Sequence, residues 1–125
     1  EILLRTRSRR VPPHLDDKVI VSWNGLMIRT LAFAARVLDR PAYLDGARRA
    51  ASFILGEMLI DSGLAHSWRD GRAGLPAFQE DYACLLLGLV ELYQADFDLR
   101  WLYEAERLAD EMISLFLDRQ GGGFF

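Results

Sequence analysis

Two clusters of polar and aromatic residues, each directly before an apolar segment, are the places in this chain where chemistry could occur. The first comprises Asp16–Lys18 and Ser22–Leu26, and the second comprises Glu80–Tyr82. Carboxylates can exchange protons or accept hydrogen bonds from hydroxyl groups, and aromatic rings can stack on a ligand. A helix start adds unpaired N–H groups and a partial positive charge. Each cluster therefore indicates a possible binding site.

A third candidate segment lies between these clusters, in Gly63–Ala73. It contains His66 and Trp68, and its Asp70-Gly71 step is typical of a tight turn between two short strands. We expect a small β-hairpin over residues 63–76 that lies on the same face as the two helix starts. His14 lies in the Pro12-Pro13 segment and is expected to be outside any cleft.

Four helices are predicted, over residues 22–38, from Pro41 to about 59, 80–95 and 98–117. The first and third are apolar on nearly every side, whereas the second and fourth are amphipathic. Asp39 is a plausible cap of the second helix and Asp98 of the fourth, with Pro41 in a first turn. The order is therefore inner, outer, inner, outer.

The two helical hairpins repeat at an offset of 58 residues, which pairs Leu44 with Leu102 and Ala47 with Ala105. A single such repeat cannot bury its inner helix alone. The predicted fold class is all-α, with hairpin one over about 20–60, the β-hairpin over 63–76 and hairpin two over about 80–118. Closed rings of such hairpins place the inner-helix starts on one face.

Composition limits the classes of function. The chain has 125 residues, 51% of them hydrophobic, and a net charge of −3, which indicates a packed domain and no nucleic-acid partner. A basic run at the start is interpreted as solvated or paired with carboxylates: Arg5, Arg7, Arg9 and Arg10. The single cysteine, Cys84, fits a small buried thiol and a reducing, cytoplasmic compartment. No membrane span, metal-ligand cluster or cofactor is expected.

The chain is also expected to be part of something longer, since it lacks an initiator Met and stops after Gly121–Phe125. Two hairpins cannot enclose inner helices this apolar, so a hydrophobic flank should remain exposed. We therefore predict that the chain self-associates through that flank.

The motifs resemble a known family. Asp16–Lys18, then Ser22–Met27, Glu80–Ala83 and the Gly88-Leu89-x-x-Leu92-Tyr93 pattern are similar to the YyaL-type family of thioredoxin-domain-containing (spermatogenesis-associated) proteins. That resemblance implies an N-terminal thioredoxin-like domain followed by an (α/α)6 toroid, similar to N-acylglucosamine 2-epimerases and six-hairpin glycosidases. This chain would hold about two hairpins of the toroid, and we expect these two hairpins by themselves to be inactive. It contains no Cys-x-x-Cys, so no redox role is carried over.

Toroids of this kind bind sugars at the inner-helix starts, so the resemblance implies a carbohydrate-binding or sugar-modifying domain with a saccharide ligand. The candidate catalytic residues are Asp17, His66, Glu80 and Asp81. The candidate substrate-binding residues are Asp16, Trp23, Asn24, Trp68 and Tyr82. Whether the domain is an epimerase, a glycosidase or no enzyme at all stays open at this point.

Each of these residues also has a structural interpretation. The carboxylates Asp16 and Asp17 can pair with Lys18 or with an arginine of the basic run, and Asn24 can cap a helix. Carboxylates in a first helical turn stabilise the helix by about 0.3–1 kcal/mol. The alternative function is therefore a non-catalytic helical scaffold that accompanies a thioredoxin-like domain or binds a partner protein.

Overall fold

Four long helices form two consecutive hairpins, as the hydrophobic periodicity predicts. The computed structural model describes residues 2–11, 14–61 and 63–125. Hairpin one consists of α2 (Val21–Leu38) and α3 (Pro41–Glu57), and hairpin two of α4 (Gln79–Asp96) and α5 (Leu99–Phe116). A short exposed helix, α1 (Ile2–Ser8), precedes them and was not predicted. The all-α fold class with small antiparallel strands is confirmed.

The helix ends follow local chemistry, with one correction. Asp98 caps α5, because its side chain accepts a hydrogen bond from the Arg100 backbone N–H at 3.0 Å. Pro41 occupies the first turn of α3. Asp39, however, does not cap α3; it adopts a left-handed conformation with φ 50° and ends α2, and its N–H donates to the Ala35 carbonyl. Arg40 occupies the N-cap position of α3 and its side chain makes no capping hydrogen bond. The prediction that Asp39 caps α3 was therefore wrong.

The 58-residue repeat extends to the inner helices. α2 runs from residue 21 to residue 38, and α4 runs from residue 79 to residue 96. Both ends of α4 therefore lie 58 residues after the corresponding ends of α2. The residues that follow, Asp39 and Phe97, are equivalent as well, and both are left-handed. The two hairpins are therefore copies of one structural unit at the level of backbone conformation.

The two inner helices pack closely because glycine lies at their contact. A Cβ atom on Gly25 would lie 2.6 Å from the Cys84 carbonyl oxygen, and one on Gly88 would lie 2.7 Å from the Gly25 carbonyl oxygen. No side chain larger than hydrogen fits at such distances without moving the backbones apart. Around this contact lies the core, which includes Ile28, Ala32, Ala47, Ile54, Leu85, Leu89, Trp101 and Leu108.

Short strands connect the helix starts. β1 (Val19–Ile20) pairs antiparallel with β4 (Ser67–Arg69), which pairs with β5 (Arg72–Ala73). The Asp70-Gly71 turn between β4 and β5 is confirmed, with φ values of 51° and 75°. β2 (Leu59–Ile60) and β3 (Gly63–Leu64) form a second antiparallel pair. Because β1 leads directly into α2, the predicted β-hairpin lies against the start of an inner helix.

One side of α2 is not covered. Leu26, Met27, Phe33 and Val37 are between 46% and 63% exposed, which agrees with the expected hydrophobic flank. Among the helices of the described ranges, none combines the length and apolar character needed to cross a membrane.

Candidate functional site

Asp81 lies at the point where the two inner-helix starts and the β-hairpin meet. Its side chain is 0% exposed. Oδ1 accepts a hydrogen bond from the Ser22 backbone N–H at 3.1 Å, and Oδ2 accepts one from the Phe78 N–H at 2.9 Å. Oδ2 also lies 2.8 Å from His66 Nδ1. One buried carboxylate therefore connects the start of α2, the start of α4 and the segment before β4.

His66 is held by its backbone as well as by its ring. Its carbonyl accepts from the Val21 N–H at 3.0 Å, and its own N–H donates to the Leu75 carbonyl at 2.7 Å. The ring packs edge-on against Phe78, with centroids 5.0 Å apart, and its side chain stays 24% exposed. When Nδ1 donates to Asp81, Nε2 is left as a proton acceptor. This arrangement can orient a general base.

The start of α2 presents an aromatic side chain to solvent. Trp23 is 70% exposed, so it is not part of the hydrophobic core. Asn24 is half-buried, and its Nδ2 donates to the Ile20 carbonyl at 2.9 Å, which is not the helix-capping role considered above. Glu80 is exposed in the first turn of α4. Trp23 and Glu80 are thus accessible at the starts of the two inner helices.

Trp68 and Tyr82 are covered to different extents. Trp68, on β4, is half-buried and packs edge-on against Phe53 of α3, with ring centroids 5.3 Å apart. Tyr82 is 1% exposed and packs against Phe116. Tyr82 therefore offers no open ring face to a sugar, and its predicted stacking role does not agree with the structure.

The Tyr82 hydroxyl instead ties three elements together. It donates to Glu111 Oε1 of α5 at 2.6 Å and accepts from the Leu64 N–H of β3 at 3.3 Å. Burial, followed by the hydrogen bond to Glu111, raises the pKa of Tyr82 to about 12. The phenol thus stays protonated at neutral pH and fixes the strand that leads to His66.

Asp16 and Asp17 lie apart from Asp81. Asp16 is 3.4 Å from Lys18 Nζ, and Asp17 Oδ1 is 2.8 Å from Arg69 Nε at the far end of β4 from His66. These contacts agree with the ion-pair interpretation, although the partner of Asp17 comes from β4 and not from the basic run. Arg69 Nη2 is also 3.4 Å from His14 Nε2. His14 therefore lies closer to the sheet than expected.

The Cys84 thiol is not activated for reaction. Burial raises the pKa of the Cys84 thiol, and the charges of Glu80 and Asp81 raise it further, so the thiol is protonated and unreactive at neutral pH. Within residues 2–11, 14–61 and 63–125, no group of three or more His, Cys, Asp or Glu side chains is arranged to hold a metal ion.

Two contributors were missed by reasoning from the sequence. Phe78 supplies both an N–H group to Asp81 and a ring to His66, yet it precedes the helix as an ordinary apolar residue. Glu111 lies three residues after the buried Leu108. That spacing places it toward the inner side of an amphipathic helix, which was the available signal.

Curated relatives match all or most of the chain. Spermatogenesis-associated protein 20 from Homo sapiens is 37% identical over 135 residues, which covers 100% of this chain and 17% of that protein. The Rattus norvegicus protein of the same name is 36% identical with the same coverage. An uncharacterised protein from Caenorhabditis elegans is 37% identical over 88% of this chain. The chain thus spans about a sixth of the length of these relatives. No family model matches it.

Solved structures of sugar epimerases share the fold. Cellobiose 2-epimerase from Spirochaeta thermophila superposes with a TM-score of 0.77 at 20% identity, covering 86% of this chain and 28% of that one. A sugar epimerase from a ruminal bacterium superposes with a TM-score of 0.74 at 15% identity, covering 90% and 30%. The two hairpins therefore have the architecture of part of an epimerase (α/α) toroid. Over its whole length the chain matches a segment of spermatogenesis-associated protein 20, and this confirms the resemblance stated from its motifs.

Proposed function

We propose that this chain forms part of a saccharide-binding face in a sugar-modifying toroid domain, and that His66 is the proton-transferring group of that face. The observation that carries the proposal is the 2.8 Å contact between His66 Nδ1 and the buried Asp81 carboxylate, at the junction of both inner-helix starts. The likeness of the fold to sugar epimerases supports the same substrate class.

The geometry favours proton abstraction over glycoside cleavage. Glycosidases need two accessible carboxyl groups on either side of the scissile bond. Asp81 has no exposed surface and already accepts three hydrogen bonds, so it acts through His66 as a positioning residue. An epimerase instead needs a base that removes a proton next to a carbonyl group. His66 Nε2, in a ring whose orientation Asp81 fixes, is suited to that task.

Trp23 is proposed as the stacking platform for the sugar ring. It is the aromatic side chain that the start of α2 leaves exposed, and indole faces bind the apolar face of a sugar ring. Asn24 and Glu80, also at the helix starts, can accept hydrogen bonds from hydroxyl groups. Trp68, which is half-buried against Phe53, can add a smaller contact.

Binding is tested by titrating the complete protein, with its whole toroid, with a panel of mono- and disaccharides and following tryptophan fluorescence and Tm. Trp23→Ala should weaken binding about fivefold, since an aromatic contact contributes about 1 kcal/mol and 1.4 kcal/mol corresponds to a factor of ten. The control is Tyr103→Ala on α5, where a comparably exposed aromatic side chain lies on an outer helix. If no sugar in the panel changes either signal, the binding proposal is abandoned.

Proton transfer is tested by sugar epimerisation assays that follow exchange of substrate hydrogen with D2O. His66→Ala should lower kcat by about 10²- to 10⁴-fold, the usual contribution of a general base, while the Kd for the sugar changes little. Unchanged exchange in His66→Ala would overturn the role of His66, whereas a wild-type protein that binds sugar without any exchange would favour the non-catalytic scaffold. Absence of sugar binding in the wild-type protein would exclude both steps together.

A further inference from the structure

Two neighbouring side chains of α4 hold the segment that carries His66. Asp81 Oδ2 lies 2.8 Å from His66 Nδ1, and the Tyr82 hydroxyl accepts a hydrogen bond from the Leu64 backbone N–H at 3.3 Å. Leu64 and His66 are two residues apart, which in an extended segment corresponds to about 7 Å. Two contacts at that separation fix the direction of the segment as well as its distance from α4.

The Tyr82 hydroxyl can hold this N–H group because its own proton is directed elsewhere. A phenol has one proton, and a hydroxyl whose proton pointed at the Leu64 N–H would face another donor. The proton is donated to Glu111 Oε1 of α5 at 2.6 Å, which leaves the phenol oxygen free to accept from Leu64. Glu111 therefore determines the direction of the Tyr82 hydroxyl.

The Glu111 carboxylate is itself held on two sides. Its Oε2 lies 3.5 Å from Arg107 Nη1, one helical turn earlier on α5. Gly63 of β3 lies against Oε1, where a Cβ atom would collide with that oxygen and lie 3.2 Å from the Tyr82 hydroxyl. Gly63 also has a φ of 103°, a conformation that favours glycine. The residue before Leu64 thus has the size and the backbone shape that this contact requires.

Other hydrogen bonds attach the same segment to the ends of helices and to loops. The Ala65 N–H donates to the carbonyl of Met58, at the end of α3, at 2.9 Å. The His66 N–H donates to the carbonyl of Leu75, which lies between β5 and α4, at 2.7 Å. These bonds limit how far the segment can move. Loss of the Tyr82 contact should therefore loosen the segment without unfolding it.

We propose that Tyr82 and Glu111 are positioning residues for His66. Glu111 directs the Tyr82 hydroxyl, and the hydroxyl holds the Leu64 N–H. The held segment keeps the His66 ring in contact with Asp81, in the orientation that proton transfer needs. The effect on proton transfer rests on the proposed function, whereas the effect on the segment does not. Outer helix α5 thereby takes part in the site at the inner-helix starts.

Amide hydrogen exchange of the complete protein tests the segment without any sugar. Tyr82→Phe removes the acceptor of the Leu64 N–H, so the Leu64 and His66 amides should exchange with D2O about fivefold faster, as expected for the loss of one hydrogen bond. Tyr93→Phe is the matched control, because it removes a hydroxyl group near the other end of the same helix, and it should leave both rates unchanged. Unchanged rates in Tyr82→Phe overturn the proposal, whether or not the protein acts on sugars.

Kinetics test the consequence for proton transfer, with the same sugar panel and exchange of substrate hydrogen with D2O. Tyr82→Phe should lower kcat about tenfold, which is less than the roughly 10²-fold that a 1 Å misplacement can cost, and should leave the Kd for the sugar unchanged. In a His66→Ala background it should lower kcat no further, because its effect passes through His66.

An equal loss of kcat in both backgrounds, or no loss in either, overturns the positioning role. A wild-type protein without any exchange of substrate hydrogen refutes the proposed function. The amide exchange result then decides by itself whether Tyr82 holds the segment.

Substitutions of Glu111 test the direction of the Tyr82 hydroxyl. Glu111→Gln retains an oxygen that can accept the Tyr82 proton, so its amide exchange and kcat should match those of the wild-type protein. Glu111→Leu removes the acceptor and should reproduce the effects of Tyr82→Phe. Equal behaviour of the two Glu111 variants contradicts the role of Glu111. Far-UV circular dichroism checks folding, and the Glu111 pair replaces Tyr82→Phe if that variant does not fold.

Discussion

The starts of the two inner helices are equivalent in the repeat, yet their side chains have opposite environments. Trp23 and Asn24 of α2 occupy the positions that Asp81 and Tyr82 occupy in α4. Trp23 is 70% exposed, whereas Asp81 and Tyr82 are 0% and 1% exposed. The backbone is the same, so the neighbours make the difference: α4 begins between α2, β3 and α5, and the other side of α2 is open.

The difference in exposure distinguishes two polar clusters that look alike in the sequence. The polar cluster of α4 is a structural junction whose groups are already bonded to one another, and His66 is its half-exposed member. The cluster of α2 leaves its large side chain, Trp23, exposed to solvent. A helix start is thus a binding surface only where its side chains are not already used by the fold.

The largest expected effect is at the buried junction. Asp81→Ala leaves the N–H groups of Ser22 and Phe78 and the His66 ring without their acceptor. It should lower the free energy of unfolding by about 3 kcal/mol or more, as expected when one partner of a buried polar group is removed. Urea unfolding measures this change.

Trp23→Ala is the matched change at the equivalent helix start, and an exposed site should change the free energy by no more than about 0.5 kcal/mol. Equal effects of the two substitutions would remove the distinction between the helix starts.

The second prediction concerns the close contact between α2 and α4 at Gly25 and Gly88. Gly88→Ala places a Cβ atom 2.7 Å from the Gly25 carbonyl oxygen, which forces the backbones of α2 and α4 apart. We expect a loss of about 1–3 kcal/mol, the usual cost of overpacking. In α3, a Cβ atom on Gly56 would have no neighbouring atom within 4 Å, so Gly56→Ala should stabilise the protein by about 0.5–1 kcal/mol. Thermal unfolding compares the two, and a neutral Gly88→Ala would contradict the close packing.

A pH titration tests the burial of Tyr82. Its folded pKa of about 12 lies above the ordinary tyrosine value of 10.0, so the folded state keeps a proton that the unfolded state loses. The stabilisation is fully present below pH 10 and is lost as the pH rises from about 10 to 12. Tyrosinate absorbance at high pH should show a step near pH 12 that disappears in Tyr82→Phe. A Tyr82 step at pH 10 would place the phenol in solvent.

The smallest effect is expected at the starts of the two outer helices, α3 and α5. Asp98→Ala removes the side-chain cap of α5 and should cost about 1 kcal/mol. Arg40, at the equivalent position before α3, makes no such bond, so Arg40→Ala should have little effect. Urea unfolding of both variants decides this, and a cost at Arg40 equal to that at Asp98 would contradict the difference in capping.

Several features were predictable because they depend on residues close together in the chain. Hydrophobic periodicity indicated four helices and their inner and outer roles. The Asp70-Gly71 turn and the Asp98 cap each follow from two or three neighbouring residues. The 58-residue repeat was visible in the outer helices, and the structure extends it to the inner ones.

The site depended on tertiary structure, because its contacts join residues far apart in the sequence. Ser22 and Asp81 are 59 positions apart, and Tyr82 and Glu111 are 29 apart. Side-chain types alone could not show that Asp81 would be fully bonded, that Tyr82 would be buried or that Asp17 would pair with Arg69.

The amino-acid sequence by itself determined the helical hairpins, their repeat and the family resemblance. Only the tertiary structure decided which polar groups are used by the fold and which stay free, since burial depends on the neighbours that packing brings together.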